Sequence, residues 1–215
     1  MTTNKKKEII NAAKRLYQKD FLASCDGNIS MRLADGNILI TPSGCQKAFM
    51  SEDQMALCTK EGIPLKGTPS SETAMHIAVY QQCPEAQAVV HAHPPYVIAW
   101  SLAKPEQKFL PVEKIPELLL ALGSCPVVPY AVPGTKDMAE VLTGYLPENR
   151  AFILKFHGGL SWGETLSEAL GGIERMEHAV KILTIAESLG GPKSLPPQSL
   201  EKLRKIREKI HPKIL

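Results

Sequence analysis

Ala88-Val89-Val90-His91-Ala92-His93 joins a run of small and β-branched residues to two histidines two positions apart. Such a run favours a buried strand, and Ala86 to His91 reads as one. Helical patterns bracket it: Ser70 precedes one over Ser71 to Gln81, and another follows Pro94-Pro95. Helix, strand, helix is the building unit of an α/β layer, so this stretch sets the fold class.

Toward the N-terminus, Ile9, Ile10, Ala13, Leu16 and Tyr17 fall at helical spacing and predict an amphipathic helix over Lys5 to Gln18. Between it and Pro69 the chain reads as mostly β, with runs at Ile29 to Leu33, Asn37 to Ile40 and Met55 to Cys58 and a hairpin signal at Asp35-Gly36. Toward the C-terminus, helices are expected after Pro116 (Glu117 to Leu122), after Thr135 as cap, and over Thr165 to Leu189. A strand is expected over Ala151 to Phe156. Ala169, Ile173, Met176, Val180 and Leu183 form one stripe of the last helix. The sum is a three-layer α/β domain over residues 1–189, then a hinge at Gly190-Gly191-Pro192 and a basic tail helix within residues 190–215.

Composition narrows the class further. With 215 residues, 44% hydrophobic and 22% charged, the chain is neither disordered, collagenous nor coiled-coil. Apolar runs such as Tyr96 to Trp100 fall far short of the ~20 residues that span a bilayer, so no membrane role is expected. Lys5, Lys6 and Lys7 are followed by charged and polar residues where a signal peptide would be apolar. Five cysteines, none spaced Cys-x-x-Cys, fit a reducing cytoplasm. The net charge of +3 is local, because residues 201–215 carry six Lys/Arg against two Glu. No aromatic-interleaved basic patch accompanies that tail, which reads as a solvated helix and not as a nucleic-acid site.

The residues able to do chemistry cluster in few places. On one strand face His91 and His93 stand about 6–7 Å apart, within reach of one metal ion, although the pair alone fits two structural histidines equally. His157 ends a second predicted strand, and Gly158-Gly159 after it allow a turn and leave room for a ligand. At Ser70-Ser71-Glu72, a helix start with two hydroxyls forms a candidate phosphate pocket with a carboxylate at its rim. Three imidazoles and a carboxylate make a tetrahedral zinc set with one displaceable ligand. His76 and His178, each four residues after a glutamate, read as helix-face members of ion pairs, and His211 as solvated. Gly27 to Ser30 and Thr41 to Gly44 are either turns or binding loops, and neither is a nucleotide motif. Lys155 offers a metal-free Schiff-base alternative.

Taken together, Gly27-Asn28-Ile29-Ser30, Thr41-Pro42-Ser43-Gly44, Pro69-Ser70-Ser71-Glu72, His91-Ala92-His93 and His157-Gly158-Gly159 resemble the class II aldolase family typified by fuculose-phosphate aldolase. The match runs from about residue 8 to residue 189, and Pro129-Tyr130-Ala131 with Gly134-Thr135 adds to it. The resemblance implies a three-layer fold around a central, largely antiparallel sheet, where helix–strand alternation alone suggests a parallel one. It also implies a homotetramer of four-fold symmetry with sites at subunit interfaces. It makes His91, His93 and His157 ligands of Zn2+, with Mn2+ or Co2+ as alternatives, and Glu72 the acid/base that also ligates resting metal. Asn28, Ser43, Gly44, Ser70 and Ser71 match the substrate-phosphate pocket.

The implied reaction is cleavage of a ketose 1-phosphate, a small-molecule sugar phosphate, to dihydroxyacetone phosphate and an aldehyde. The metal stabilises the enediolate and Glu72 protonates it. The family tyrosine near Val112 to Pro116 is missing here, and Glu117, ahead of Glu113, is the expected replacement. Methylthioribulose-1-phosphate dehydratase is similar through Trp162 to Thr165 but lacks Ser-Ser-Glu. The 4-epimerases carry Asp where Glu72 stands. The noncatalytic adducin head lacks the histidines.

Overall fold

A computed structural model describes residues 2–210, 213 and 214; His211 lies outside the described residues. The chain opens with α1 (Thr2–Gln18), then β1 (Asn28–Arg32), β2 (Ile38–Ile40), β3 (Ala56–Cys58) and β4 (Pro64–Lys66). Next come α2 (Thr73–Gln82), β5 (Ala88–Ala92), α3 (Pro95–Ala103), α4 (Pro116–Leu122), β6 (Val127–Val128) and α5 (Lys136–Thr143). β7 (Ala151–Leu154), β8 (Gly158–Gly163), α6 (Leu166–Ser188) and α7 (Pro197–Ile210) complete it.

Among the described residues, eight strands form one sheet in the order β4-β3-β2-β1-β5-β8-β7-β6. Every neighbouring pair is antiparallel except β6 with β7. The sheet is therefore largely antiparallel, and the parallel order that helix–strand alternation suggests is corrected. Short hairpins explain this: Asp35-Gly36 turns β1 into β2, with Gly36 at φ 85° and the Leu33 N–H donating to the Asn37 carbonyl.

Strand alternation divides the core in two. Ala88, Val90 and Ala92 of β5, with Ala151 and Ile153 of β7, pack against α1, α3, α4 and α6. Val89, Phe152 and Leu154 point the other way, onto Met75, Val79 and Tyr80 of α2 and Met138 and Leu142 of α5. Each truncation of one of these large side chains would cost about 2–5 kcal/mol. His91 shares the parity of Val89, so it points toward α2, and the fold thereby brings the strand histidine to the helix that Glu72 begins.

Three expectations need correction. Gly158-Gly159 does not make the turn after His157; it opens β8, which lies between β5 and β7 and is buried along its whole length. The turn falls earlier, over Lys155 to His157. Thr135 precedes α5 without a side-chain cap, its Oγ1 donating instead to the Val132 carbonyl. The tail helix is not solvated throughout: α7 lies on α4, and buried Arg207 donates to the carbonyls of Leu120, Ala121 and Leu122. A cation there complements the helix C-terminus. By contrast, the stripe on α6 is buried as expected, and Thr165 Oγ1 accepts the Glu168 N–H.

Candidate metal centre

The end of β5 and the turn after β7 bring three imidazoles together. Ring centroids lie 4.7 Å apart for His91–His157, 4.9 Å for His91–His93 and 5.0 Å for His93–His157. One ligand atom from each lies within 4.8 Å of the others. Two local devices aim them. Phe156 adopts a left-handed φ of 63°, strain that is rare for an aromatic residue, and its N–H is held by buried Ser101 Oγ at 3.0 Å. Gly158 is required because a Cβ there would stand 2.4 Å from the Ala92 carbonyl and 3.0 Å from the His93 ring. The missing side chain admits β5 and the histidines; it does not leave ligand space.

His91 shows the orientation of a metal ligand. Its Nδ1–H donates to the Gly159 carbonyl at 2.9 Å, which leaves Nε2 with its lone pair. That Nε2 faces His93 Nε2 at 3.0 Å and Glu72 Oε2 at 3.3 Å. Burial, reinforced by His93 and His157, pushes the His91 pKa well below its ordinary value, so the ring stays neutral. His157 is also shifted down, mainly by burial, against the attraction of Glu72. His93 Nδ1 lies 3.4 Å from Asp26 Oδ2, which favours a free Nε2.

Glu72 sits just ahead of α2. Its Oε2 accepts from Asn28 Nδ2 at 2.8 Å, while Oε1 is 3.5 Å from His157 Nε2. Among the described residues, Glu72 Oε1 and His157 Nδ1 are buried side-chain atoms without a hydrogen-bond partner. Such atoms cost about 1–3 kcal/mol each unless an ion or substrate satisfies them. Three imidazoles this close together could hold a divalent ion, and the open carboxylate oxygen of Glu72 stands beside them.

A cavity of about 220 Å³ opens onto this cluster. Asn28, Ser43, Gly44, Ser70 and Ser71 line it together with Glu72, His93 and His157, so all five expected phosphate residues share one site. Three contributors escaped the sequence reading. Lys47 lines the same cavity, buried, with its Nζ donating to the Cys25 carbonyl. Asp26 stands behind His93. His76 is no surface member of a pair with Glu72: it is fully buried and bonded to Asn28 and Ser30. Its four-residue spacing from Glu72 was visible, but its real partners lie far away in sequence.

Other candidates fall outside. Glu117 lines a separate groove of about 800 Å³ between α1, α4 and α6, and Glu113 another beside Phe109. Lys155 turns its Nζ over the Phe156 ring, 5.1 Å from the centroid. Glu174 accepts from Nε and Nη2 of Arg15, at 2.5 and 2.7 Å, in place of the expected His178. Trp162 to Thr165 is structural: Trp162 is buried under the Arg150 guanidinium, and Glu164 pairs with Arg150 and Lys213, which hold its pKa low.

Known proteins are similar to this chain over most of its length. A 3-oxo-tetronate 4-phosphate decarboxylase of Escherichia coli is 32% identical over 186 residues, covering 84% of this chain and 86% of that protein. An L-fuculose phosphate aldolase of Methanococcus vannielii is 31% identical, covering 85% and 97%. The crystal structure of Escherichia coli YgbL superposes with a TM-score of 0.88 at 29% identity, covering 94% of this chain and 99% of that one. Residues 7–184 match the family "Class II Aldolase and Adducin N-terminal domain", and the chain belongs to that family.

Proposed function

We propose that this protein is a metal-dependent carbon–carbon lyase that releases dihydroxyacetone phosphate from a phosphorylated 3-oxo acid of the 3-oxo-tetronate 4-phosphate type. The observation that carries the reading is the unpartnered Glu72 Oε1, buried among three imidazoles in a cavity rimmed by hydroxyls and one lysine. A divalent ion held by His91, His93 and His157, zinc in the first place, supplies Lewis-acid polarisation of the substrate carbonyl.

The chain's own residues do the rest. Asn28, Ser43, Gly44, Ser70 and Ser71 bind the phosphate, and Lys47 adds the positive charge that a dianion requires. Bound this way, the substrate presents its ketone to the imidazole cluster. The carboxylate carbon leaves as CO2, its bonding pair staying on the neighbouring carbon in conjugation with the ketone. Glu72 Oε1 delivers a proton to that carbon and is recharged from solvent.

Loss of CO2 demands no second base. Aldol cleavage does, because a hydroxyl proton must leave as the bond breaks, and neither Glu113 nor Glu117 lines the cavity. A ketose 1-phosphate aldolase is the second reading, favoured by the likeness to L-fuculose phosphate aldolase. In it Glu117 reaches a neighbouring subunit's site within the homotetramer that the family resemblance implies. The dehydratase reading loses its support, since Trp162 to Thr165 is accounted for by packing. A cytoplasmic location accords with five free cysteines and with the lack of any membrane-length apolar helix among the described residues.

Incubating the metal-loaded protein with 3-oxo-tetronate 4-phosphate and, separately, with a panel of ketose 1-phosphates tests this. Dihydroxyacetone phosphate accompanied by CO2 is expected. Dihydroxyacetone phosphate accompanied by an aldehyde, from a ketose alone, would install the second reading, and its absence from every incubation would remove both.

A further inference from the structure

Behind Asn28 runs a chain of buried polar groups that phosphate binding does not use. Tyr80 Oη lies 2.8 Å from Ser30 Oγ, and Ser30 Oγ lies 2.7 Å from His76 Nδ1. His76 Nε2 lies 2.5 Å from Asn28 Oδ1, and Asn28 Nδ2 lies 2.8 Å from Glu72 Oε2. All four residues behind Glu72 are buried, Ser30 and His76 completely.

The direction of every bond follows from one end. Glu72 Oε2 accepts from Asn28, the exchanging proton riding on Oε1, so Asn28 must turn its amide nitrogen toward Glu72 and its oxygen toward His76. His76 must then carry its proton on Nε2 and accept at Nδ1 from the Ser30 hydroxyl, and Ser30 in turn accepts from Tyr80. Burial favours a neutral His76 ring, lowering its pKa to about 4, so the ring keeps one donor and one acceptor. With the amide unable to flip, Oε2 of Glu72 stays anchored and Oε1 is the oxygen left open.

We propose that Tyr80, Ser30 and His76 are positioning residues that lock the Asn28 amide and thereby select Glu72 Oε1 as the oxygen that exchanges protons with substrate. This rests on the reading of Glu72 as the acid/base. Groups that act on geometry alone should change turnover more than binding, since a small misplacement of a reacting group is costly.

The test is solvent-deuterium exchange into dihydroxyacetone phosphate by the metal-loaded full chain, followed as kcat and KM. His76→Leu should lower kcat by about tenfold or more, with KM and metal content within about twofold, and His76→Gln, which restores a donor toward Asn28, should recover most of the loss. Should His76→Leu not fold, Ser30→Ala and Tyr80→Phe, each deleting only a hydroxyl, should still lower kcat severalfold. Unchanged kcat in the folded variants, KM and kcat moving together, or a Gln variant no better than Leu overturns the proposal. Nitrogen-15 NMR of the His76 ring judges the relay apart from catalysis: a proton on Nε2 supports it, and a proton on Nδ1 overturns it. Failure of the wild type to exchange deuterium, with Nε2 protonated, would instead remove the acid/base reading of Glu72.

Discussion

Glu72 is held at one carboxylate oxygen and open at the other, and the consequences are measurable residue by residue. Glu72→Gln keeps the shape and removes the basicity, so solvent-deuterium incorporation into dihydroxyacetone phosphate should fall by about 10²–10⁴-fold while the metal stays bound. His76 makes a separate prediction about stability. Its pKa falls from 6.5 to about 4 on folding, so the folded state binds fewer protons across that interval. Its contribution is intact above the unfolded value and is lost as pH falls toward 4. Wild type should therefore lose about 3 kcal/mol more than His76→Gln between about pH 7 and 4, as read by denaturant unfolding.

Among the elements, β8 decides whether the histidines can meet. Gly158→Ala places a methyl against the Ala92 backbone and the His93 ring, neither of which can yield without moving β5. The variant should lose about 1–3 kcal/mol of stability and bind less metal, as thermal unfolding and metal analysis would report. The same strand marks the limit of what the sequence disclosed. His91 and His93 were legible because a strand's two-residue period puts both on one face, and α6 was legible from its apolar stripe, whereas the capping role of Thr165 was not. β8 was not, since Gly158-Gly159 carries a turn composition and its strand character comes from being clamped between β5 and β7. The antiparallel order came from the family resemblance, since periodicity does not carry strand direction. His76 and Lys47 stayed hidden for a related reason: each acts through partners that only the folded sheet brings near.

For the whole molecule, three layers place the N-terminal loops, the start of α2, the end of β5 and the β7–β8 turn around one small cavity, while Glu117 faces a different groove. If that cavity holds the metal through its imidazoles, protein purified without chelators should contain about one divalent ion per chain, and His91→Ala with His93→Ala should contain little. The most direct measurement is turnover of 3-oxo-tetronate 4-phosphate in deuterated water by the metal-loaded protein, its chelated form and Glu72→Gln. Dihydroxyacetone phosphate with one deuterium on the carbon that lost CO2, formed by the metal-loaded wild type and not by the other two, is the expected result. Equal formation of that product by the chelated protein or by Glu72→Gln would contradict the joint role of the histidines and Glu72.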